Sequence, residues 1–265
     1  MAERVKITID PQDNGLHIPA VALRGLVVFP NNVVHFEVAR PKSIAAITWA
    51  MEHNSPVFLV AQKDINVEDP GVKDLYAYGT VAEIKQFLRV DEDNINVLVE
   101  GKLRARLLQL ETSDRFLMAE VKASNIRASA ADAEDRVAAL VRRVKEEFHR
   151  YLTLGQRVSK EVVFSVLSND DPRYISEFIP SNVLFRYQDK QIILEESTLL
   201  GRLEKLLAIF IKENNVLEIE REIQEKTSDI MEKEQRDYYL REEMNVILEE
   251  LGEGDDIRSE AMAYK

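Results

Sequence analysis

The residues that could carry out chemistry are few and scattered in this 265-residue sequence, which contains no cysteine. A cysteine nucleophile, a cysteine-ligated zinc ion and a disulfide scaffold are therefore excluded. The four histidines, His17, His35, His53 and His149, are far apart, and none of them forms the i,i+4 pair used by helical metal sites. We interpret them as surface or half-buried residues and expect no metal site.

The nine glycines do not form a phosphate-binding loop, because neither G-x-x-x-x-G-K-[ST] nor G-x-G-x-x-G occurs. No serine lies in the G-x-S-x-G pattern of a nucleophile elbow. Carboxylates are abundant, but the spacing singles out no acid–base pair. Taken alone, the sequence gives no sign of an enzyme and predicts no cofactor.

The negative charge is concentrated in the last fifth of the chain. The net charge of −12 divides into −3 for residues 1–122, zero for residues 123–211, and −9 for residues 212–265, which contain 8 basic and 17 acidic residues. Proteins that bind nucleic acids usually have a basic face, because neutralising phosphates supplies much of their affinity. The charge pattern therefore disfavours nucleic acid as the main ligand.

No apolar run approaches the roughly 20 residues that span a bilayer, and the longest, at 206–211, ends at Lys212. A membrane protein is therefore not expected. The N-terminus lacks a basic segment followed by an apolar one, and Glu3, Asp10 and Asp13 argue against a transit peptide. Together with the absence of cysteine, this predicts a protein of the reducing cytoplasm.

Residues 1–122 have the pattern of a β-rich subdomain. Short apolar or alternating runs at 33–38, 57–60, 79–87 and 95–99 are separated by turn residues, including an acidic turn at 91–94. Two further strands are predicted at 104–110 and 116–121, and one helix at 43–51. This arrangement favours a small barrel or twisted sheet with one helix across it.

Residues 123–211 have the helical period instead and predict a small bundle. Helices are expected at 128–151, at 159–167, at 172–179 with Pro180 closing it, from Ser181-Asn182 onward, and at 199–211. The breaks between them are short, which favours antiparallel packing of neighbouring helices.

Residues 212–251 contain neither proline nor glycine and predict one long helix, about 60 Å at 1.5 Å per residue. Its seven-residue ladder is apolar at both ends but interrupted by Lys226, Lys233 and Asp237. Three arrangements stay open: a projecting connector, a homotypic coiled-coil seam, or a packed helix broken in two, with Asn214-Asn215 as the weakest point. Residues 252–265 then predict an acidic loop at which the chain stops, as if cut from a longer protein.

Several segments resemble the amino-terminal region of bacterial Lon proteases, in the family's order. Residues 18–30 (IPAVALRGLVVFP) resemble its opening strand. The other matching segments are EVARPKS at 37–43, YGTVAEI at 78–84, VLVEGKLRA at 97–105, and KEQRDYYLREE at 233–243, followed by ELGE at 250–253. These segments extend over almost the whole chain.

The resemblance implies an α+β architecture: a PUA-like β subdomain at 1–122, a helical subdomain at 123–211, and a connecting helix at 212–251. It also implies a parent protein that forms rings and degrades misfolded and short-lived regulatory proteins as an ATP-dependent serine protease. The parent's ATPase module, which would use ATP and magnesium and begin near 252–265, and its Ser–Lys module are not in this sequence. We therefore expect this piece to be non-catalytic.

A region that binds unfolded protein needs an adaptable apolar surface, and methionine and aromatic residues suit it. The candidates are Phe29, Pro30 and Val33 in the β subdomain, and Met231, Tyr238, Tyr239 and Met244 on the long helix. The alternative is that all of them pack inside the fold. The expected partners are unfolded or degron-bearing protein substrates and other Lon subunits.

Two other functions stay open. One is a purely structural oligomerisation element with no affinity for substrates. The other is a nucleic-acid-binding module, since PUA-like folds elsewhere bind RNA. Basic residues that could meet a neighbouring subunit's acidic helix are Lys102, Arg104, Arg106 and the pair Arg142-Arg143; the alternative is ordinary solvated charge.

Overall fold

The computed structural model of the chain describes residues 15–90, 94–113, 115–127, 134–183 and 185–250. Three predicted features lie wholly or partly outside these residues: the acidic turn at 91–94, the start of the helix at 128–151, and the acidic loop at 252–265.

Strands with a single helix come first, and helices follow. The strands are β1 (Leu16–Leu23), β2 (Val33–Val38), β3 (Val57–Ala61), β4 (Tyr78–Arg89), β5 (Ile95–Thr112) and β6 (Leu117–Ala123). The helices are α1 (Pro41–Glu52), α2 (Glu134–Thr153), α3 (Lys160–Ser168), α4 (Pro172–Asn182), α5 (Tyr187–Glu195) and α6 (Leu199–Glu250). The predicted α+β class, with a long helix at the end, is confirmed.

The sheet has the strand order β2-β5-β4-β3-β1-β6 and closes on itself, because β6 also pairs with β5. Among the described pairs, β1 and β3 are parallel and the others are antiparallel. At 18 residues, β5 is long enough to pair with β2 along 95–100 and with β6 along 105–112. Five strands therefore form a closed barrel, and β2 is added to it beside the first part of β5.

β1 is buried on both faces, because its alternate side chains enter two different cores. Ala20 and Ala22 pack with Phe58 in one core. Val21 packs in the other core with Ile47 of α1, which lies against the sheet. A strand that is covered on both faces must be apolar at nearly every position, as this one is.

β5 is a single strand where two were predicted, and Gly101 lies inside it. A Cβ atom at Gly101 would lie 2.2 Å from the carbonyl oxygen of Phe29, so only glycine fits this close approach. The Asn31 N–H donates to Gly101 O, and the Gly101 N–H donates to Asn32 O, both at 2.9 Å. Asn31 has a φ of 58°, so this is a bulge that pins the loop before β2 to the middle of β5.

The helices up to Ile211 pack around a group of buried aromatic rings. The ring centroid of Phe210 lies 5.0 Å from that of Phe185, 5.8 Å from that of Tyr151 and 6.1 Å from that of Phe148. All three pairs meet edge to face, which is a favourable geometry for aromatic side chains. These contacts join α2, the segment before α5, and the first part of α6 into one core.

The boundary after α4 differs from the prediction. The helix continues past Pro180 to its end at Asn182, and no helix begins at Ser181-Asn182. The Ser181 hydroxyl donates to Glu177 O at 2.6 Å, and the Asn182 amide donates to Phe178 O at 2.8 Å. These side chains therefore satisfy the last carbonyl groups of α4 instead of capping a new helix.

α6 is one helix of 52 residues and runs without a break through Asn214-Asn215. The helix predicted at 199–211 and the long helix predicted from 212 are thus parts of one element. The chain forms two compact units, one ending at Ile211 and the other beginning at Lys212. Among the described residues, no helix combines the length and the apolar character that crossing a membrane requires.

Candidate functional site

Of the candidates in the β subdomain, Val33 alone is exposed. Phe29 has no exposed surface and Pro30 is buried, whereas Val33 is 55% exposed. The loop before β2 enters the fold, since the Thr80 hydroxyl donates to Val28 O at 2.6 Å. The apolar side chains of this loop therefore pack inside the fold. Of the surface predicted at Phe29, Pro30 and Val33, Val33 is the residue that a partner can reach.

All four candidates on the long helix are exposed within the unit that begins at Lys212. Tyr238 and Tyr239 are 61% and 63% exposed, and Met231 and Met244 are exposed to a similar extent. The two tyrosine rings lie 6.1 Å apart at 69°, in an edge-to-face arrangement. All four side chains are therefore accessible to a partner. Burial would have excluded such contact.

Further large apolar side chains on the same helix are exposed, beyond those predicted from the sequence. They are Val216, Ile219, Ile223, Ile230, Leu240, Val246 and Ile247. The signal that could have identified them is the seven-residue ladder, which contains Ile223 and Ile230. An exposed apolar series of this length is uncommon on a lone helix and is typical of an interaction surface.

Charged side chains accompany this apolar series. Arg221 and Glu225 form an ion pair at 2.9 Å, and Glu222 and Lys226 form another at 4.0 Å. Both pairs have i,i+4 spacing, which contributes about 0.3 kcal/mol each to an exposed helix. The charges help the segment to stay helical without covering its apolar side chains.

A separate cleft of about 720 Å³ lies between the barrel and α4, within the first unit. The stacked rings of Tyr174 and Phe178, with centroids 4.7 Å apart, form part of one wall. Amide and hydroxyl groups such as those of Asn31 and Ser124 line the rest, together with charged side chains that include Arg173. The cleft thus offers aromatic surface and both neutral and charged hydrogen-bonding groups.

A buried ion pair joins the wall of this cleft to α6. Arg202, which has no exposed surface, donates to the Glu177 carboxylate at 3.2 Å. Asn31 donates to the other Glu177 oxygen at 3.4 Å. Burial raises the pKa of Glu177, against the opposing charge of Arg202, and burial lowers the pKa of Arg202 to about 10. The pair holds the cleft wall in place.

Three of the five basic residues singled out from the sequence, Lys102, Arg104 and Arg143, are engaged within the chain. Arg104 is buried and donates to Leu194 O, Glu195 O and Ser124, so the prediction that it could meet a neighbouring subunit is wrong. Its guanidinium also lies 4.0 Å from the centre of the Tyr78 ring.

Lys102 and Arg143 also have acidic partners in the chain. Lys102 pairs with Glu100 at 2.7 Å, and Arg143 pairs with Glu146 at 2.7 Å. Their charges are partly neutralised, which weakens the case for an interface with an acidic helix of another subunit.

Metal binding has no support in the described part of the chain, where no group of three or more histidine, aspartate or glutamate side chains is placed to hold an ion. His17 lies 3.4 Å from Glu111, and the Nδ1 atom of His53 lies 2.8 Å from Trp49 O. These histidines have structural contacts on strands and helices. The expectation that this region needs no cofactor stays a prediction.

Known proteins resemble this chain along most of its length. The chain is 36% identical to the Lon protease of Clostridioides difficile (strain 630) and 38% identical to that of Escherichia coli (strain K12), each over 250 residues. Each match includes 94% of this chain but 32% of the relative, so the chain spans about a third of the length of these curated relatives.

The fold is similar to that of a solved N-terminal domain. The N-terminal domain of the Mycobacterium avium complex Lon protease superposes with a TM-score of 0.58 at 21% sequence identity, covering 74% of this chain and 98% of that one. A family model described as the ATP-dependent protease La (LON) substrate-binding domain matches residues 17–212, which include the barrel and the helices up to the start of the second unit. The chain therefore belongs to the Lon substrate-binding domain family.

Proposed function

We propose that this chain is the non-catalytic substrate-recognition and assembly region of an ATP-dependent serine protease of the Lon type, and that it binds unfolded or degron-bearing protein segments. The observation that carries the proposal is the exposure of large apolar side chains on residues 212–250 of α6. Unfolded proteins expose apolar side chains that folded proteins bury, and an apolar surface can hold them.

The residue types on the helix suit partners of varied sequence. Met231 and Met244 have flexible, polarisable side chains that adapt to different shapes. Tyr238 and Tyr239 present an apolar ring and a polar hydroxyl, so they contact both side chains and backbone groups. A surface of this kind binds by shape adaptation, without requiring one motif.

Assembly with other copies is the second role in the proposal. The seven-residue ladder that includes Ile223 and Ile230 is exposed, and a second helix with the same pattern would cover it. The mass in solution of this chain, compared with that of a chain extended through an ATPase region, tests this role. Oligomers formed by both chains support it, and rings formed by the longer chain alone would assign assembly to the other module.

The alternatives have weaker support. A nucleic-acid-binding module is disfavoured by the net charge of −12. A purely structural element with no affinity for substrates leaves the exposed methionine and tyrosine side chains on the helix without a role. Cytoplasmic location stays a prediction from composition.

Photo-crosslinking tests the recognition role. Reduced and carboxymethylated α-lactalbumin, which cannot fold, would carry a photoreactive label and be irradiated with the full chain. We expect crosslinks that mass spectrometry maps to peptides containing residues 231–244, and none with folded α-lactalbumin. The absence of crosslinks with the unfolded protein would contradict the recognition role and favour a structural one.

A further inference from the structure

β2 has one neighbouring strand, β5, and its other edge is free among the described residues. The hydrogen bonds of Gly101 to Asn31 and Asn32 show that the Gly101 backbone groups point towards β2. In an antiparallel ladder the direction of the backbone N–H and C=O groups alternates from one residue to the next. The backbone groups of Val99 and Val97 therefore also point towards β2, where they pair with Val34 and Phe36.

The residues between these partners therefore direct their backbone groups to the free edge. They are Val33, His35 and Glu37, and all three have exposed side chains. Within the ranges that the structure describes, no hydrogen bond is found to the backbone N–H or C=O of these three residues. The edge thus presents a regular row of three donors and three acceptors.

This edge lacks the features that normally block pairing with another chain. Natural edge strands are protected by lysine, proline, bulges or a covering element. Residues 33–38 contain neither lysine nor proline, and their register with β5 is uninterrupted. Among the described strands, residues 84–89 of β4 also pair on one side only, with β5, but that edge contains Lys85 and Arg89, whereas the edge of β2 contains neither lysine nor arginine.

A small crevice of about 220 Å³ adjoins this strand. Its apolar lining comes from β1, from the loop after it and from β2. The apolar residues are Val21, Ala22, Leu23, Leu26, Phe36, Val38 and Ala39. Pockets beside an open edge accept alternate side chains of an added strand and select among them.

The rim of the crevice has an excess of positive charge. Arg24 and Arg40 line it, with Glu37 as the acidic residue. Burial and then the nearby charge of Arg24 lower the pKa of Arg40, as expected for two cations placed close together. The charge of Asp69 opposes this effect, and the Arg40 guanidinium already donates to Ala22 O and to the Gln62 side-chain oxygen, so the basic rim is largely engaged within the chain.

We infer that an extended segment of an unfolded protein adds to β2 as a further strand, pairing with Val33, His35 and Glu37 and placing an apolar side chain in the adjoining crevice. The inference rests on the proposed function and specifies how one part of the chain would hold a substrate. Backbone pairing depends little on sequence, which suits a region that must bind many partners.

Replacing His35 with proline tests the pairing directly. The His35→Pro change removes an outward N–H, and proline is tolerated on an edge strand where the N–H faces solvent. His35→Ala keeps the N–H and is the matched control. With labelled, reduced and carboxymethylated α-lactalbumin as the probe, we expect affinity to fall at least about fivefold for the proline variant and less than about twofold for the alanine variant.

Residue-resolved amide hydrogen exchange of the wild-type chain gives a second measurement that does not depend on how the proline variant folds. We expect the Val33, His35 and Glu37 amides to exchange fast in the free chain and to be protected when the probe is bound. The Val34 and Phe36 amides should be protected in both states, because they already pair with β5.

Three results would overturn the inference. Binding of the probe with unprotected Val33, His35 and Glu37 amides would reject the strand pairing and leave the proposed function intact. Failure of the probe to bind at all would reject both. Protection that increases with protein concentration in the absence of the probe would assign this edge to a second copy of the chain.

Discussion

Arg104 and Arg202 donate hydrogen bonds to the same backbone atom, the carbonyl oxygen of Leu194. The Arg104 Nε atom lies 2.5 Å from it and the Arg202 Nη2 atom 3.3 Å. Leu194 lies in the last turn of α5, where carbonyl groups lack partners within the helix and cations are favoured. One guanidinium comes from the barrel and the other from α6, so this helix end joins the two parts of the first unit.

Replacing Arg104 with methionine should therefore destabilise the first unit. The change leaves the carbonyl oxygen of Glu195 without its donor and weakens the support of Leu194 O. We expect a loss of about 2–4 kcal/mol in the free energy of unfolding, measured by urea denaturation. Arg106→Met is the control, because Arg106 is exposed and the change should cost less than about 0.5 kcal/mol. Equal losses in the two variants would contradict the role of Arg104.

The stability should depend on pH through Glu196. Lys205, 2.8 Å away, and the hydrogen bonds from Thr198 hold the pKa of Glu196 at about 2, well below the ordinary 4.5. The unfolded chain takes up this proton near pH 4.5, whereas the native state resists it until about pH 2. The stabilisation is therefore complete above pH 4.5 and is lost as the pH falls towards 2.

Glu196→Gln should remove this contribution. We expect the variant to be less stable than the wild type at pH 6, on the order of 1 kcal/mol after allowing for solvent screening, and nearly equal to it at pH 2.5. Glu204→Gln is the control, since Glu204 pairs with Arg136 in an exposed position. Urea denaturation at both pH values measures the difference. A difference in the free energy of unfolding between Glu196→Gln and the wild type that is the same at both pH values would show that the charge of Glu196 does not stabilise the fold.

Gly101 should not accept a side chain. The Cβ atom of Gly101→Ala would meet the Phe29 carbonyl oxygen at 2.2 Å, and neither backbone can move cheaply because the loop is pinned to β5. We expect a loss of about 2–4 kcal/mol or failure to fold. Gly71→Ala is the matched control, because its nearest contact would be Asp74 at an ordinary 3.7 Å. A thermal unfolding midpoint of Gly101→Ala close to that of the control would contradict the close approach.

The exposed tyrosines should contribute to binding and little to stability. The double change Tyr238→Ala and Tyr239→Ala removes two exposed rings from α6. We expect affinity for an unfolded protein to fall about tenfold, as truncation of aromatic contact residues commonly does, while the urea midpoint of the first unit stays the same. Lys233→Ala with Arg236→Ala, which changes polar neighbours on the helix, should reduce affinity less than about twofold. Equal effects of the two double variants would show that the rings have no special role.

Elements with a strong hydrophobic period could be predicted from the sequence. In α2, Val137, Val141, Val144 and Phe148 recur at three- and four-residue steps, and all four are buried. The same local reasoning found the six-residue strand at 33–38. These patterns are local, because each depends on residues within one element facing the same core.

Features that depend on contacts between distant residues could not be predicted. Arg104 has the position of a solvent-facing charge in its strand, and its burial depends on carbonyl groups 90 and 91 residues later in the chain. Gly101 lies in the gap between the strands predicted at 95–99 and 104–110, because the sequence does not show that Phe29 crosses at that point. In both cases the tertiary contact decides the role of the residue.

The candidate site shows the same limit. Phe29 and Tyr238 are both large aromatic residues in segments that resemble the family, yet one is buried in the barrel and the other is exposed on α6. The residue type identifies both as candidates for binding but does not show which of them is buried. Backbone pairing at β2 is less visible still, because any residue except proline supplies the same N–H and C=O groups.

The most direct test of the central claim is an equilibrium titration of the full chain against one protein in two states. Fluorescence anisotropy of labelled α-lactalbumin would be measured in its folded form and in its reduced, carboxymethylated form. We expect saturable binding of the unfolded form, with a Kd of about 1–100 μM, and at least tenfold weaker binding of the folded form. Equal affinity for both forms, or no binding of the unfolded form up to several hundred μM, would contradict the central claim.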